Sequence, residues 1–239
     1  MMVSPGSSHA LNEIARRAQE LRAAFTPGAS AAHGDVLRAP RSLFTLDPLS
    51  VAAPPDAFFI GRDERGRQTF TRDGVFHLHD TVLVDRFDQP VMGYAHAGAA
   101  LAPLRMDAVD VALGRTNDLR IEADGSVSYG RVTIDPRNGT LEPARMTVGR
   151  LALARFSAAT RLQSLDATRS FAPANVVPHT GVPGDGNFGA ISPHQQEQSR
   201  IDLDVGIERL QEAYLAFDAL RAAHSAEGHV EKTAMDLVK

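Results

Sequence analysis

The chain has 239 residues, of which 43% are hydrophobic and 23% are charged, and its formal net charge is −4. It contains no cysteine, which excludes disulfides, thiol catalysis and thiolate metal sites. The negative charge argues against nucleic acid or an anionic membrane as the main partner, because both bind basic surfaces. Aromatic residues make up only 6% of the chain, so we expect a mainly aliphatic core.

The first element is a predicted helix over residues 7–25, which Ser7 or Ser8 could cap. Pro27 and Gly28 should end it. Its apolar residues are spaced by three and four positions and form one narrow stripe. The stripe consists of Leu11, Ile14, Ala18, Leu21 and Phe25. No basic region followed by an apolar stretch is present, so we expect no cleaved signal peptide. No window reaches the roughly 18 apolar residues of a membrane span, so we expect no membrane insertion.

The middle of the chain has the pattern of short β-strands. Between Phe58 and Phe156, runs of alternating apolar and polar residues are separated by turn sequences such as "RDG" and "ADG". This spacing predicts an all-β domain rather than βαβ units. We assign it residues 46–193, including a predicted loop over residues 171–193, and we assign residues 1–45 and 194–239 to a terminal helical region.

A second long helix is predicted after Pro193, with a break at Gly228. Its apolar residues alternate in steps of four and three, which is typical of the seam between paired helices. They are Leu203, Ile207, Leu210, Tyr214 and Phe217. Neither terminal stripe is wide enough for a globular core, so each helix needs a partner. We therefore expect a mainly-β α+β fold whose N- and C-terminal helices pair as a coiled-coil-like stalk.

His77 and His79 are candidate metal ligands. Alternate residues of a strand point to the same face, so the two imidazoles could bind zinc, with Asp80 or Asp85 as a third ligand. Asp80 directly follows His79, however, and should point to the opposite face. The exposed face of a polar β-hairpin explains the pair more simply, and we expect no metal site.

The segment "GDGNFG", residues 184–189, matches the dinucleotide-binding fingerprint in its letters alone. It follows a Pro-rich stretch rather than a strand, and Pro193 would interrupt a helix beginning there. We interpret it as a flexible linker and expect no cofactor. The chain also lacks a Gly-x-Ser-x-Gly nucleophile motif, so we expect no catalytic residues.

The order of several short motifs resembles the rod and hook proteins of the bacterial flagellum, above all the rod proteins of the basal body. The motifs are Phe58-Phe59, Phe70-Thr71-Arg72-Asp73-Gly74-Val75-Phe76, Leu83-Val84, Pro90-Val91-Met92-Gly93, Ile121-x-x-Asp124-Gly125-Ser126-Val127, Gly149-x-Leu151-x-Leu153-x-x-Phe156, Thr180-Gly181-Val182-Pro183-Gly184 and Glu197-x-Ser199. The resemblance covers roughly residues 56–220. The chain looks like a divergent member, because the family's Asn-rich motif after the first helix is absent.

The resemblance implies a non-catalytic structural subunit of the periplasmic rod, needed for flagellum assembly and motility. Its terminal helices would pair and line a tubular axial structure, with the β domain outside. The implied partners are copies of itself, other rod and hook proteins, and the flagellar export apparatus, which would export it without a cleaved signal. The expected assembly interface is Leu11, Ile14, Leu21, Leu203, Ile207, Leu210, Tyr214 and Phe217.

Two alternatives remain open at this stage. One is a metal-dependent hydrolase that uses His77 and His79. The other is a β-domain binding protein that works outside the flagellum.

Overall fold

The computed structural model describes residues 5–23, 41–134, 137, 139–166, 168–199 and 203–237. Within these residues the fold is mainly β with few helices, which confirms the predicted mainly-β α+β class. The three α-helices are α1 (Pro5–Ala23), α2 (Ala108–Ala112) and α3 (Leu203–Leu237). No described helix is both long enough and apolar enough to pass through a bilayer.

The strands are short and are paired antiparallel. In chain order they are β1 (Ser42–Phe44), β2 (Val51–Ala52), β3 (Ala57–Arg62), β4 (Gln68–Thr71), β5 (His77–His79), β6 (Val82–Val84), β7 (Met92–Tyr94), β8 (Ala102–Pro103), β9 (Arg120–Ile121), β10 (Ser126–Ile134), β11 (Leu141–Leu151), β12 (Leu153–Arg155), β13 (Gln163–Ser164), β14 (Arg169–Phe171), β15 (His179–Gly181), β16 (Ser192–Pro193) and β17 (Gln195–Glu197).

Two larger sheets form the body of the β domain. One has six strands in the order β13-β14-β4-β3-β12-β15, and the other has five in the order β8-β7-β11-β10-β9. Three two-stranded ribbons, β1-β17, β16-β2 and β5-β6, complete the pairing among the described residues. The β domain was predicted to span residues 46–193. β1 precedes this range and β17 follows it, so the pairing of these two strands extends the β structure slightly beyond both limits.

The core is mainly aliphatic, as the composition predicts, but several of its largest side chains are aromatic. Phe59, Phe70 and Tyr129 are among the largest fully buried side chains, alongside Leu83 and Leu151. The ring of Phe59 packs edge-on against that of Phe76, with 5.2 Å between the centroids. A buried aromatic side chain removes a large area from water, so these few rings contribute strongly to the core.

The helices differ from the sequence prediction at their ends. Helix α1 begins at Pro5, a residue favoured in the first turn, so Ser7 and Ser8 lie inside the helix and not ahead of it. The predicted stop at Pro27 and Gly28 lies outside the described residues. Helix α3 continues through Gly228 without a break. One glycine costs only about 1 kcal/mol relative to alanine in a helix, which a long helix tolerates.

The stretch predicted as a loop over residues 171–193 is also more regular than expected. It contains β15, which pairs with β12 at the edge of the six-stranded sheet. Asp185 then organises the "GDGNFG" turn by accepting hydrogen bonds from the backbone amides of Asn187 and Phe188, both at 3.0 Å. The Phe188 ring is buried in the main core, so this segment is part of the domain and not a linker.

The Thr-Arg-Asp sequence is followed by Gly74, and the structure shows why glycine is needed at this position. A Cβ atom at this position would lie 1.9 Å from the carbonyl oxygen of Val51, far inside van der Waals contact. The amide of Val51 donates a hydrogen bond of 2.9 Å to the carbonyl of Gly74, so neither backbone can easily move away. The close approach of these two segments therefore depends on the missing side chain.

We predict that Gly74→Ala destabilises the protein by about 3 kcal/mol, the upper range for inserting a methyl group into a packed site. Gly189→Ala is the matched control, because a Cβ there would meet only Pro54 carbons, the nearest at 3.5 Å. It should change stability by less than about 1 kcal/mol. Urea unfolding of both variants measures the difference, and equal midpoints would contradict the steric explanation.

Candidate assembly interface

Helices α1 and α3 contact each other. Leu21, near the end of α1, places its Cδ1 atom 3.0 Å from where a Cβ on Gly206 would stand, in the first turns of α3. The end of α1 therefore lies beside the start of α3, so the two contacting helices run in opposite directions. At 1.5 Å per residue, the 19 residues of α1 span about 28 Å and the 35 residues of α3 about 50 Å.

The face of α3 that α1 covers differs from the predicted seam at two positions. The partly buried residues spaced along this face are Leu203, Gly206, Leu210, Ala213 and Phe217. Glycine and alanine thus occupy the places that the sequence pattern gave to Ile207 and Tyr214. Small residues let the helix backbones approach closely, whereas the larger Ile207 and Tyr214 lie on the flank, 39% and 52% exposed.

The eight predicted interface residues therefore fall into two groups. Five are buried or partly buried: Ile14, Leu21, Leu203, Leu210 and Phe217. The other three, Leu11, Ile207 and Tyr214, are exposed. The first group is shielded from solvent at least in part, and its Leu21 lies against α3 at Gly206, whereas the second group is exposed to solvent.

The distal half of α3 extends past α1. From Asp218 to Ala226 every side chain is exposed, and Leu215, just before this stretch, is 70% exposed. A helix that is exposed on all sides needs a partner, because isolated helices gain most of their stability from packing.

Charged side chains reinforce α1 on one flank. Glu13 accepts hydrogen bonds from Arg16 and Arg17, and Glu20 pairs with the same two arginines. The hydrogen bond from Arg16 is the main reason that the pKa of Glu13 falls to about 2. These pairs lie one turn apart and support the helix at neutral pH.

The ribbon of β1 and β17 joins the helices to the β domain. It pairs Ser42 with Glu197 and Phe44 with Gln195, and it lies between the sequence positions of the terminal helices and the domain core. Two further backbone hydrogen bonds extend it, from Gln198 to Arg41 and from Thr45 to His194. β17 ends at Glu197, six positions before α3 begins at Leu203.

A buried ion pair between Arg72 and Glu197 fixes the ribbon. The guanidinium donates from Nε to both carboxylate oxygens, at 3.0 and 2.9 Å, and from Nη2 to Oε2 at 2.5 Å. Nη1 also donates to the carbonyls of Pro54, Pro55 and Ala57, at 2.7–3.0 Å. Both charged side chains are almost fully buried. Arg72 thereby connects the end of β4, the 54–57 segment and β17.

The neighbouring Asp73 is also buried. Burial raises the pKa of its carboxyl from 3.8 to about 6, although Arg86, with Nε 2.6 Å from Oδ2, opposes the rise. A raised carboxyl pKa means that the folded chain holds this proton more tightly than the unfolded chain. The contribution of Asp73 to stability therefore falls as the pH increases from about 4 to about 6.

Exposed apolar side chains lie beside the ion pair on the outer ribbon. Leu43, Phe44 and Leu46 are all largely exposed, and the Phe44 ring stacks on His194 at 6.3 Å between centroids. Three large exposed apolar side chains thus lie within four consecutive residues, 43–46. Such a patch is typical of a protein–protein contact.

Sequence analysis did not identify the Arg72–Glu197 pair. Both residues belong to the motifs that resemble flagellar proteins, but the two positions are 125 residues apart. The sequence shows only that an arginine directly follows the alternating pattern of β4 and that a glutamate precedes the final helix. Neither has a chemical meaning until the fold brings them together.

The structure brings His77 and His79 together with Asp88. Oδ1 of Asp88 lies 3.0 Å from Nε2 of His77 and 3.2 Å from Nδ1 of His79. The expected third ligands are placed otherwise. Asp80 Oδ2 lies 3.9 Å from His79, and the buried Asp85 accepts hydrogen bonds from backbone amides of its own turn.

Comparisons with known proteins add no family. Neither the protein-family models nor the curated proteins include a match to this chain.

We predict that Glu197→Gln destabilises the protein by about 3–5 kcal/mol, because it leaves the buried guanidinium of Arg72 without a countercharge. Glu122→Gln is the matched control. Its partner Arg120 and Glu122 itself are both about half exposed, so the loss should be below about 1 kcal/mol. Chemical denaturation of the two variants distinguishes them, and a small effect of Glu197→Gln would contradict the role given to the pair.

Proposed function

We propose that this protein is a structural subunit of the bacterial flagellar rod, and that it acts by assembly rather than by catalysis. The observation that carries the proposal is helix α3. It contacts α1, its side chains from residue 218 to residue 226 are exposed, and it follows β17 in the chain, whose Glu197 pairs with Arg72. The motif resemblance supplies the identity of the assembly, and the geometry supplies a mechanism.

In this mechanism the pair of α1 and α3 is a coiled-coil-like stalk that packs on the stalks of neighbouring subunits. The packing surface consists of the exposed residues Leu11, Ile207, Tyr214, Leu215 and Leu220. Full burial of a large apolar side chain contributes roughly 1.5–3 kcal/mol, so several such contacts per subunit, repeated along a tube, hold an assembly together.

The interface joins different surfaces of two copies. An interface of this kind that does not close into a ring produces a helical assembly, the architecture of a tubular rod. Every subunit must then hold its stalk at the same angle to its β domain. The buried ion pair and the β1-β17 ribbon support this requirement, because they restrain the segment from which α3 begins.

The remaining features of the proposal follow the resemblance. The subunit would be exported by the flagellar export apparatus without a cleaved signal and would act in the periplasm. Its partners would be copies of itself and other rod and hook proteins. The exposed patch of Leu43, Phe44 and Leu46 is a second contact for such neighbours, at the foot of the stalk.

We predict that Leu210→Asp and Leu215→Asp each abolish motility and rod assembly while the β domain stays folded. Leu210→Asp places a charge in the contact between α1 and α3, whereas Leu215→Asp changes only an exposed position. Each variant would replace the chromosomal gene, and swimming and isolated basal bodies would be scored. The purified variants should keep the near-ultraviolet circular dichroism of the β domain.

Leu113→Asp is the control, because Leu113 is an exposed apolar residue that follows α2 in the β domain. It should leave motility intact. A motile Leu210→Asp strain with normal basal bodies would contradict the proposal. If only the Leu113→Asp strain lost motility, the result would indicate that the assembly contact lies on the β domain and not on the stalk.

A further inference from the structure

Three potential metal ligands converge on one face of the β5-β6 hairpin. The ring nitrogens Nε2 of His77 and Nδ1 of His79 and the carboxylate of Asp88 all lie within 4.8 Å of one another. His77 and His79 are alternate residues of β5 and share a face, as the strand geometry requires. Asp88 comes from the turn that follows β6.

The backbone that carries these groups is well defined. In the turn after β6, the buried Asp85 accepts hydrogen bonds from the amides of Phe87 and Gln89, at 2.8 and 2.9 Å. The amide of Asp88 donates to the carbonyl of Asp85 at 3.0 Å, and Asp88 has a φ of 58°. Aspartate and asparagine tolerate this left-handed conformation better than most residues. The turn therefore holds the Asp88 carboxylate above the two imidazoles.

We propose that His77, His79 and Asp88 form a surface binding site for a divalent transition-metal ion of the zinc type. A tetrahedral zinc site with bonds of about 2.0 Å has edges of about 3.3 Å between ligand atoms. The two nitrogen–oxygen distances to Asp88 Oδ1, 3.0 and 3.2 Å, are close to this edge. Small side-chain rotations would let an ion replace the two hydrogen bonds.

The ligand chemistry determines the class of ion. Two imidazoles and one carboxylate suit zinc, copper or nickel, whereas magnesium and calcium prefer oxygen ligands alone. The three side chains are 47–61% exposed. An ion held there keeps at least one coordination position open to water or to a side chain of another molecule.

The consequence of binding is structural. The ion would tie β5 to the turn at residues 85–89, which now interact through hydrogen bonds at the surface. A ligand that binds only the folded chain raises its stability according to its concentration and affinity. This proposal differs from the sequence-based expectation that the exposed hairpin face binds no ion. It does not depend on the proposed role in the rod.

The test uses the full chain without an affinity tag, freed of metal with a chelator, and isothermal titration with zinc chloride. We expect one strong site per chain and no comparable binding of magnesium. His77→Ala and Asp88→Asn should each weaken zinc binding at least tenfold. Asparagine keeps the left-handed turn at position 88, so the second variant removes the charge without disturbing the backbone.

His96→Ala is the control, because His96 is an exposed histidine that contacts the carbonyl of Ala97 outside this cluster. It should bind zinc like the wild type. Zinc should also raise the melting temperature of the wild type and of this control, but not that of Asp88→Asn. Absence of zinc binding to the wild type, or equal binding by all variants, would overturn the proposal.

Discussion

The Arg72–Glu197 ion pair is the interaction that joins β17, the 54–57 segment and the end of β4 within the β domain. Removing two charges from water is costly, and their attraction offsets that cost only when geometry and hydrogen bonding are favourable. Both conditions are met here, because the guanidinium contacts the carboxylate with two of its nitrogens and three backbone carbonyls with the third. The pair joins strands that are far apart in sequence and restrains the ribbon next to α3.

This restraint connects the fold to the proposed assembly. A stalk that could swivel about its joint would present its exposed residues in many directions, and copies could not repeat regularly. In the proposed rod, the exposed flank of Ile207 and Tyr214 and the exposed residues 218–226 would have to keep one orientation in every subunit. Small residues at Gly206 and Ala213 complete the arrangement, because they let α1 lie close to α3 and direct the larger side chains outward.

Local patterns in the sequence predicted the fold class and the two long helices, since helix and strand periodicities depend on neighbouring residues. They failed where distant segments decide the outcome. The helix spacing could not distinguish Ile207 from Gly206 as the residue facing α1, because both fit a three-and-four pattern. Asp88 was missed as the partner of His77 and His79, because its position depends on a turn with a positive φ. The glycine requirement at position 74 likewise depends on the approach of Val51.

Electron microscopy of basal bodies from a strain that lacks this chain tests the central claim most directly. If the protein is a rod subunit, the deletion should leave basal bodies with an incomplete rod and without hook or filament. A plasmid copy of the wild-type gene should restore complete flagella. Complete, functional flagella in the deletion strain would contradict the account and would favour a β-domain binding protein that works outside the flagellum.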